Sequence, residues 1–421
     1  MMVATVLTVL SCRDDDDNSS DDIPVGFQDL TSDYIDLSRI SAALVPDATL
    51  TLTDGVTLTG ALSPKEKIKI QVADGATVTL SGVTIADKRD EYSPWAGITC
   101  LGNAHFILAN GTTTTIKAFN INYPAILAAH NASGRGNEYT LTISGEGTLI
   151  ADNSDCGGAA IGGGWGIPCG NISIKGGKIT ALGGSMAAAI GGGWLSTCGT
   201  IAISGGDITA KGADFGAGIG SGCSEYGNSS CGNITISGGI VNATGGNGSA
   251  GIGSSCKGYE ATNTCGDIII SGGKVMANGG DGGAGIGSGH WSSCGAITIT
   301  DGNMTATGGK KAAGIGCGEG NPDKLKSSCG DIRIENGKGF EHVIAYKGIG
   351  ASRPIGMSGG ENNNEIGNIR FGDIHINKDR YNYNIEEDGY CGSFHVTKTT
   401  TKLGNADESQ YIDNTWTLSV E

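Results

Sequence analysis

Two residue pairs recur along this chain at a near-constant separation, and this constrains the fold more than any other feature. Cys-Gly pairs stand at Cys169, Cys198, Cys231, Cys265, Cys294 and Cys329; Ile-Gly pairs stand at Ile161, Ile190, Ile219, Ile252, Ile286, Ile315 and Ile349. Each of the first five cysteines precedes the next of these isoleucines by 21 residues, and Cys329 precedes Ile349 by 20. The return from Ile to Cys varies, at 8, 8, 12, 13, 8 and 14 residues. One part of each repeat is therefore fixed and the other is free to grow.

The fixed part reads as strands. After Cys169, Ile172 and Ile174 alternate with polar residues, Gly176 and Gly177 turn the chain, and Ile179 and Ala181 alternate again. The pattern returns in Ile201, Ile203, Ile208 and Ala210, then in Ile234, Ile236, Val241 and Ala243. Ile268, Ile270, Val275 and Ala277 follow, then Ile297, Ile299, Met304 and Ala306. Alternation with period two between glycine turns predicts half-buried strands, about three per repeat once the Ile-Gly segment is included. A repeat of about 29 residues cannot bury its own apolar row. Stacked in register, each strand pairs with its copy about 4.8 Å away and the row becomes an interior. The predicted fold is all-β: a right-handed single-stranded parallel β-helix of about ten coils with capped ends. Ile172, Ile201, Ile234, Ile268, Ile297 and Ile332 should form one inward column. The 75 glycines of the chain then serve tight turns rather than disorder.

Upstream the repeat weakens but persists. Ile98 and Ile126 continue the isoleucine series, and Leu141 with Ile143 and Val78 with Leu80 repeat the strand pattern. Residues 30–376 are read as the β-helix with an N-terminal cap near Leu30 to Pro46, and 377–421 as a C-terminal cap. Open solenoid ends would expose apolar and unpaired edge groups. With its recurring Gly-Ile-Gly-Ser-Gly and Ile-Ser-Gly-Gly, the chain resembles the pectate-lyase-like β-helix superfamily over roughly residues 45–376. Within it the closer resemblance is to Gly-rich surface proteins often labelled carbohydrate-binding. This implies architecture more than function.

At the N-terminus, Val3 to Leu10 is apolar but too short to span a membrane. Ser11-Cys12 follows, and the combination resembles the lipobox of bacterial lipoproteins. It departs from that pattern in having no Lys or Arg before the apolar run and Val9 where Leu is commoner. The resemblance implies a signal peptide over 1–12, acylation of Cys12, and an acidic disordered tether over 13–29 carrying Asp14, Asp15, Asp16, Asp17, Asp21 and Asp22. It also implies a lipid-anchored protein on the outer face of the bacterial outer membrane.

Net charge is −16 and no basic block occurs, which argues against a nucleic-acid partner. Polysaccharide lyases and hydrolases on such a fold need clustered carboxylates, or carboxylates beside a Lys or Arg. The regular coils show the isolated Asp207, Asp267 and Asp331, which read as solvent-facing strand decoration. Asp267 and Asp331 fall two residues after a cysteine, where the coil between them has Ala296. Gly246-Asn247-Gly248 and Gly280-Asp281-Gly282 resemble pieces of Ca²⁺-binding glycine-rich repeats, but without the nine-residue period of those repeats. No cofactor is expected, with Ca²⁺ at these turns the minor alternative, and no zinc signature is present.

Growth confined to one segment places every long loop on one side of the solenoid, a common location for a binding face. Four residues after the Ile stand Trp165, Trp194, Cys223, Cys256 and His290, with Trp291 next. Exposed aromatic planes stack on sugar rings; packing against the coil edge is the alternative use. Tyr226 and Tyr259, in the two adjacent long loops, extend the same surface. The expected function is a non-catalytic surface lipoprotein that binds a glycan or polysaccharide. The alternatives are a polysaccharide lyase or glycoside hydrolase, and a structural or protein-binding adhesin.

The 13 cysteines, behind a secretion signal, suggest an oxidising compartment. In-register stacking keeps the Cβ atoms of the repeated cysteines about 4.8 Å apart, beyond the usual disulfide range, so a ladder of buried thiols is expected there. Extra cysteines occur only where the variable segment is long. Intra-loop disulfides Cys223–Cys231, Cys256–Cys265 and Cys317–Cys329 are therefore expected, each holding a long loop upright.

Overall fold

The computed structural model describes residues 32–40, 49–63, 65–85, 93–128, 139–154, 156–320, 326–335, 340–351, 353, 355–358, 364–371, 374–376, 393–397 and 416–417. The chain is a right-handed parallel β-solenoid. Each regular turn offers four strand positions, one more than the sequence suggested. In one turn these are Ile201–Ile203, Asp207–Lys211, Ile219–Gly220 and Ser224–Cys231. The first two positions belong to a 21-stranded sheet, the third to an 11-stranded sheet and the fourth to a six-stranded one. The fourth is easily missed because it can be as short as Ser293–Cys294.

Eight two-residue strands of the third position, from Ile126–Leu127 to Ile355–Gly356, mark about eight regular turns, fewer than the ten or so expected. The earlier strands of that wall, Thr49–Leu52, Lys69–Val72 and Ile98–Cys100, belong to turns of different sequence.

The inward column forms as expected. Ile172, Ile201, Ile234, Ile268, Ile297 and Ile332 pair in parallel register, and all are buried. Across the Gly-Gly bend a second column, Ile179, Ile208, Val241, Val275, Met304 and Val343, is buried the same way. Burying each such side chain contributes about 1.5–3 kcal/mol relative to exposure.

The glycine of each Ile-Gly pair is required by stacking. Gly220 has φ +143°, and a Cβ there would meet the Gly253 carbonyl oxygen at 1.8 Å. The backbones of successive turns touch at this corner, so no side chain fits between them.

One repeat assignment is corrected. Ile349 does not join the Ile-Gly column: it is 61% exposed, and Ile355 pairs with Ile315 instead. The last turn is longer than its predecessors both before Val343 and after Ala345, which shifts the column past the sequence marker.

The polar residues two positions after each cysteine are not mere decoration. Asn171 Oδ1 accepts the Thr200 N–H at 2.8 Å, Asn233 Oδ1 the Asp267 N–H at 2.9 Å, Asp267 Oδ1 the Ala296 N–H at 2.8 Å, and Asp331 Oδ1 the Asn368 N–H at 2.7 Å. Each side chain caps the backbone of the next turn, a structural use for Asp267 and Asp331.

At the N-terminal end, strand Tyr34–Asp36 pairs with Thr57–Ala61, and the buried Leu37 opens a 3-10 turn, Leu37–Arg39. Of the expected C-terminal cap only Ser393–Thr397 and Trp416–Thr417 are described; Ser393–Thr397 runs antiparallel along Phe340–Tyr346. Residues 1–29, Cys12 included, lie outside the described residues. Among those described, no helix is long and apolar enough to cross a membrane.

Candidate functional site: a notch in the variable edge

The short Ile-Gly strand is flanked by two side-chain columns. Four residues after the Ile stand Trp165, Trp194, Cys223, Cys256, His290 and Glu319; four residues before it stand Met186, Phe215, Gly248, Gly282 and Lys311. Backbone bonds tie the two columns together across successive turns. The N–H groups of Cys223, His290 and Glu319 donate to the carbonyls of Met186, Gly248 and Gly282, each at 2.7 Å.

The column before the Ile is held in left-handed backbone, with φ of 62° at Met186, 62° at Phe215, 73° at Gly248, 82° at Gly282 and 58° at Lys311. That conformation costs an ordinary residue roughly 1–2 kcal/mol. Where a side chain is nevertheless present it fills the edge. At Gly248 and Gly282 it is missing, and a notch of about 390 Å³ opens between Phe215 at one end and Lys311 at the other. Asn247, Asp281 and Lys310 line it beside the glycines, and Cys256, His290, Trp291 and Glu319 line the opposite side. The two glycine turns singled out as Ca²⁺ fragments thus form part of the notch. Among the described residues, no group of three or more His, Cys, Asp or Glu is placed to hold a metal ion.

Within the notch Lys311 Nζ pairs with Glu319 Oε1 at 2.6 Å. The His290 and Trp291 rings lie 4.1 Å apart, tilted by 42°. Trp291 has φ +60°, and its N–H donates to Ser327 Oγ at 2.9 Å. Burial lowers the His290 pKa; Glu319 opposes that shift and Lys311 adds to it. The imidazole is therefore neutral at neutral pH and offers one donor and one acceptor. Asp281 is exposed and has no ion-pair partner among the described residues.

The expected aromatic residues divide between two places. Trp165 and Trp194 stack on each other, with centroids 4.3 Å apart and planes 20° apart. Trp165 remains 41% exposed while Trp194 is half-buried, so the pair spends its inner faces on itself. Tyr226 is 70% exposed on Ser224–Cys231, which pairs in parallel with Lys257–Cys265, the strand carrying Tyr259. His290 and Trp291 instead join the notch. Phe215, Asn247, Asp281, Lys310 and Glu319 were not anticipated as neighbours of these aromatics. A signal existed: the position four residues before each Ile switches from bulky to Gly and then to Lys.

The anchoring of the variable segments was also missed. Two residues before the cysteine markers stand Ser196, Ser229, Asn263, Ser292 and Ser327, all buried. Asn263 Nδ2 donates to the Gly222 carbonyl at 3.0 Å and the Cys256 carbonyl at 2.7 Å, and Ser221 Oγ donates to Asn263 Oδ1 at 2.7 Å. A buried polar side chain thus ties five of the six segments back to the coil; the first, ending at Cys169, has Ile167 at this position.

The disulfides expected within the loops are not formed: Cys223, Cys231, Cys256, Cys265, Cys317 and Cys329 are all free thiols. The partners expected for one another lie in different columns. Cys231, Cys265 and Cys329 align in strand register with Cys198 and Cys294. Their thiols donate to backbone carbonyls, as Cys231 does to Gly199 at 3.8 Å and Cys329 to Gly295 at 3.9 Å. A hydrogen bond with Cys198, together with burial, pushes the Cys231 thiol well up, so this ladder acts as small buried apolar side chains. Cys317 donates instead to the Glu365 carbonyl at 3.5 Å.

Six segments of the chain match the beta helix repeat family: 141–165, 172–194, 201–223, 234–256, 268–290 and 297–319. The chain is a parallel β-helix protein. Each matched segment ends on the column of Trp165, Trp194, Cys223, Cys256, His290 and Glu319, so the shared repeat stops where this chain's variable edge begins. No curated protein and no solved structure matches the chain.

Proposed function

We propose that this β-helix is a non-catalytic glycan-binding protein, displayed at the cell surface through an acylated Cys12, and that the notch holds part of the glycan. The notch itself carries the reading. Its volume of about 390 Å³ falls in the lower part of the range for small-ligand sites. Aromatic Phe215 and Trp291 lie among Asn247, Asp281, His290 and Lys310, the mixture that suits a ring with apolar faces and a hydroxyl rim. The exposed face of Trp165 supplies a second stacking platform along the same edge. The purified chain on a glycan array, followed by affinity measurements on Trp291→Ala, tests the reading. Binding that is unchanged in this variant removes the notch from it.

A second reading is favoured by one observation. Asp281 and Glu319 line a single notch beside Lys310 and Lys311, the carboxylate-and-lysine grouping that a hydrolase or lyase requires. Glu319 is committed to Lys311, which leaves Asp281 to act alone and ranks this reading second. Release of reducing ends from a bound polysaccharide, abolished in Asp281→Asn, would promote it to first.

A further inference from the structure

We propose that Cys223 and Cys256 are a thiol pair that accepts a disulfide from a small-molecule or protein donor and becomes a covalent link between adjacent turns. The two residues occupy the same position in successive turns, four residues beyond Ile219 and Ile252. Both lie outside the strands, where the backbone does not hold side chains parallel as it does in the ladder. Their Sγ atoms are 3.2 Å apart. A disulfide bond is about 2.0 Å long, so closing the gap moves each sulfur by well under 1 Å. Cys256 Sγ also reaches the Phe215 carbonyl at 3.9 Å, but its sulfur contact with Cys223 is the shorter of the two.

The surroundings divide the chemistry between them. Cys256 lines the notch and is 7% exposed, while Cys223 is 3% exposed. A donor disulfide entering the notch meets Cys256 first. The Cys256 sulfur bonds to one donor sulfur, the donor S–S bond breaks, and the first donor thiol leaves with the proton Cys256 gives up. Cys223 then attacks Cys256 Sγ, breaking the mixed disulfide and releasing the second donor thiol with the second proton. Two protein thiols are oxidised and one donor disulfide is reduced to two thiols. The hydrogen bond to Cys256 and burial hold the Cys223 thiol far up, so it stays inert until its neighbour is activated. The product staples the bases of Ser224–Cys231 and Lys257–Cys265, the two long paired strands of the edge.

The full chain incubated with oxidised glutathione, alkylated and digested without reductant, provides the test. The expected result is a Cys223–Cys256 cross-linked peptide lighter by two hydrogens, with the Cys198, Cys231, Cys265 and Cys294 thiols still alkylated. Cys223→Ser should instead trap one glutathione on Cys256. Cross-links joining Cys223 to Cys231 or Cys256 to Cys265 overturn the proposal, and so do Cys223 and Cys256 both recovered as free thiols from the wild-type chain. Glycan binding does not enter this readout, so it stands or falls apart from the proposed function.

Discussion

The inward isoleucine columns and the edge column four residues beyond each Ile-Gly pair run through the same turns under different rules. Inward, Ile172, Ile201, Ile234, Ile268, Ile297 and Ile332 are one residue type. Each fills an enclosed slot of the same size, and a misfit on either side leaves a void or a clash. At the edge the residues come in pairs: Trp165 with Trp194, Cys223 with Cys256, His290 beside Glu319. An edge side chain needs to suit only its neighbours and water. The repeat thus keeps its architecture while the edge acquires chemistry two turns at a time.

The strongest test of this contrast is a truncation inside the solenoid. Ile234→Ala leaves a void between Ile201 and Ile268 and should cost about 2–5 kcal/mol, read as a lower denaturation midpoint. A cost below that of Trp165→Ala would erase the distinction between the two columns.

Next comes the notch. Gly282→Phe copies the side chain that Phe215 presents two positions back in the same column. A Cβ at Gly282 meets Glu319 Oε2 at 3.4 Å and His290 Cβ at 3.6 Å, which is ordinary contact. The left-handed backbone should cost roughly 1–2 kcal/mol of stability. Glycan affinity should fall by at least about tenfold as the notch fills, a loss of about 1.4 kcal/mol in binding. Retained affinity in a folded variant would place binding elsewhere along the edge. Trp165→Ala should cost about 0.5–1.5 kcal/mol of stability through the lost stack and weaken binding less than Gly282→Phe does. The reverse order would make the tryptophan pair the main platform.

These contrasts follow what could be read from the sequence. The inward columns were legible because alternation and glycine turns repeat in every turn. Ile349 misled because an Ile-Gly pair alone does not fix register once the preceding connection lengthens. The edge was legible as a place, and Trp165, Trp194, His290 and Trp291 were found there. The notch was not, because it depends on absent side chains: Gly248 and Gly282 stand out in the sequence as parts of possible Ca²⁺ turns, and nothing local marks them as gaps in a side-chain column. The expected intra-loop disulfides join neighbours along the chain, whereas in a solenoid the nearer partner can lie one turn on, as Cys256 does for Cys223.

The capping ladder gives a smaller effect with an opposite sign available. Asn233→Ala removes the acceptor for the Asp267 N–H and should cost about 0.5–1.5 kcal/mol. Ala296→Asn supplies a side-chain acceptor at the matching position facing the next turn and should raise stability by up to about 1 kcal/mol. Equal midpoints for Ala296→Asn and wild type would mean that the backbone there is already satisfied.

The smallest expected effect is acid sensitivity at the edge. Burial places the folded-state pKa of His290 below its ordinary value of 6.5. Between those two values the unfolded chain binds a proton that the folded chain does not, so stability rises with pH through this window. The contribution is therefore complete above about pH 6.5 and is lost as pH falls toward the folded-state value. The partly exposed ring should limit it to less than about 1 kcal/mol. The buried isoleucine columns contain no titrating group, so Ile234→Ala should keep the wild-type pH profile. Denaturation midpoints of wild type and His290→Asn, measured near neutrality and in mild acid, isolate the effect from that of His105, whose pKa burial also lowers. His290→Asn should lose less stability than wild type on acidification. Glycan affinity should follow the same window, because protonation removes the acceptor nitrogen from the notch. Parallel profiles for the two proteins would show that His290 takes no part in the acid response.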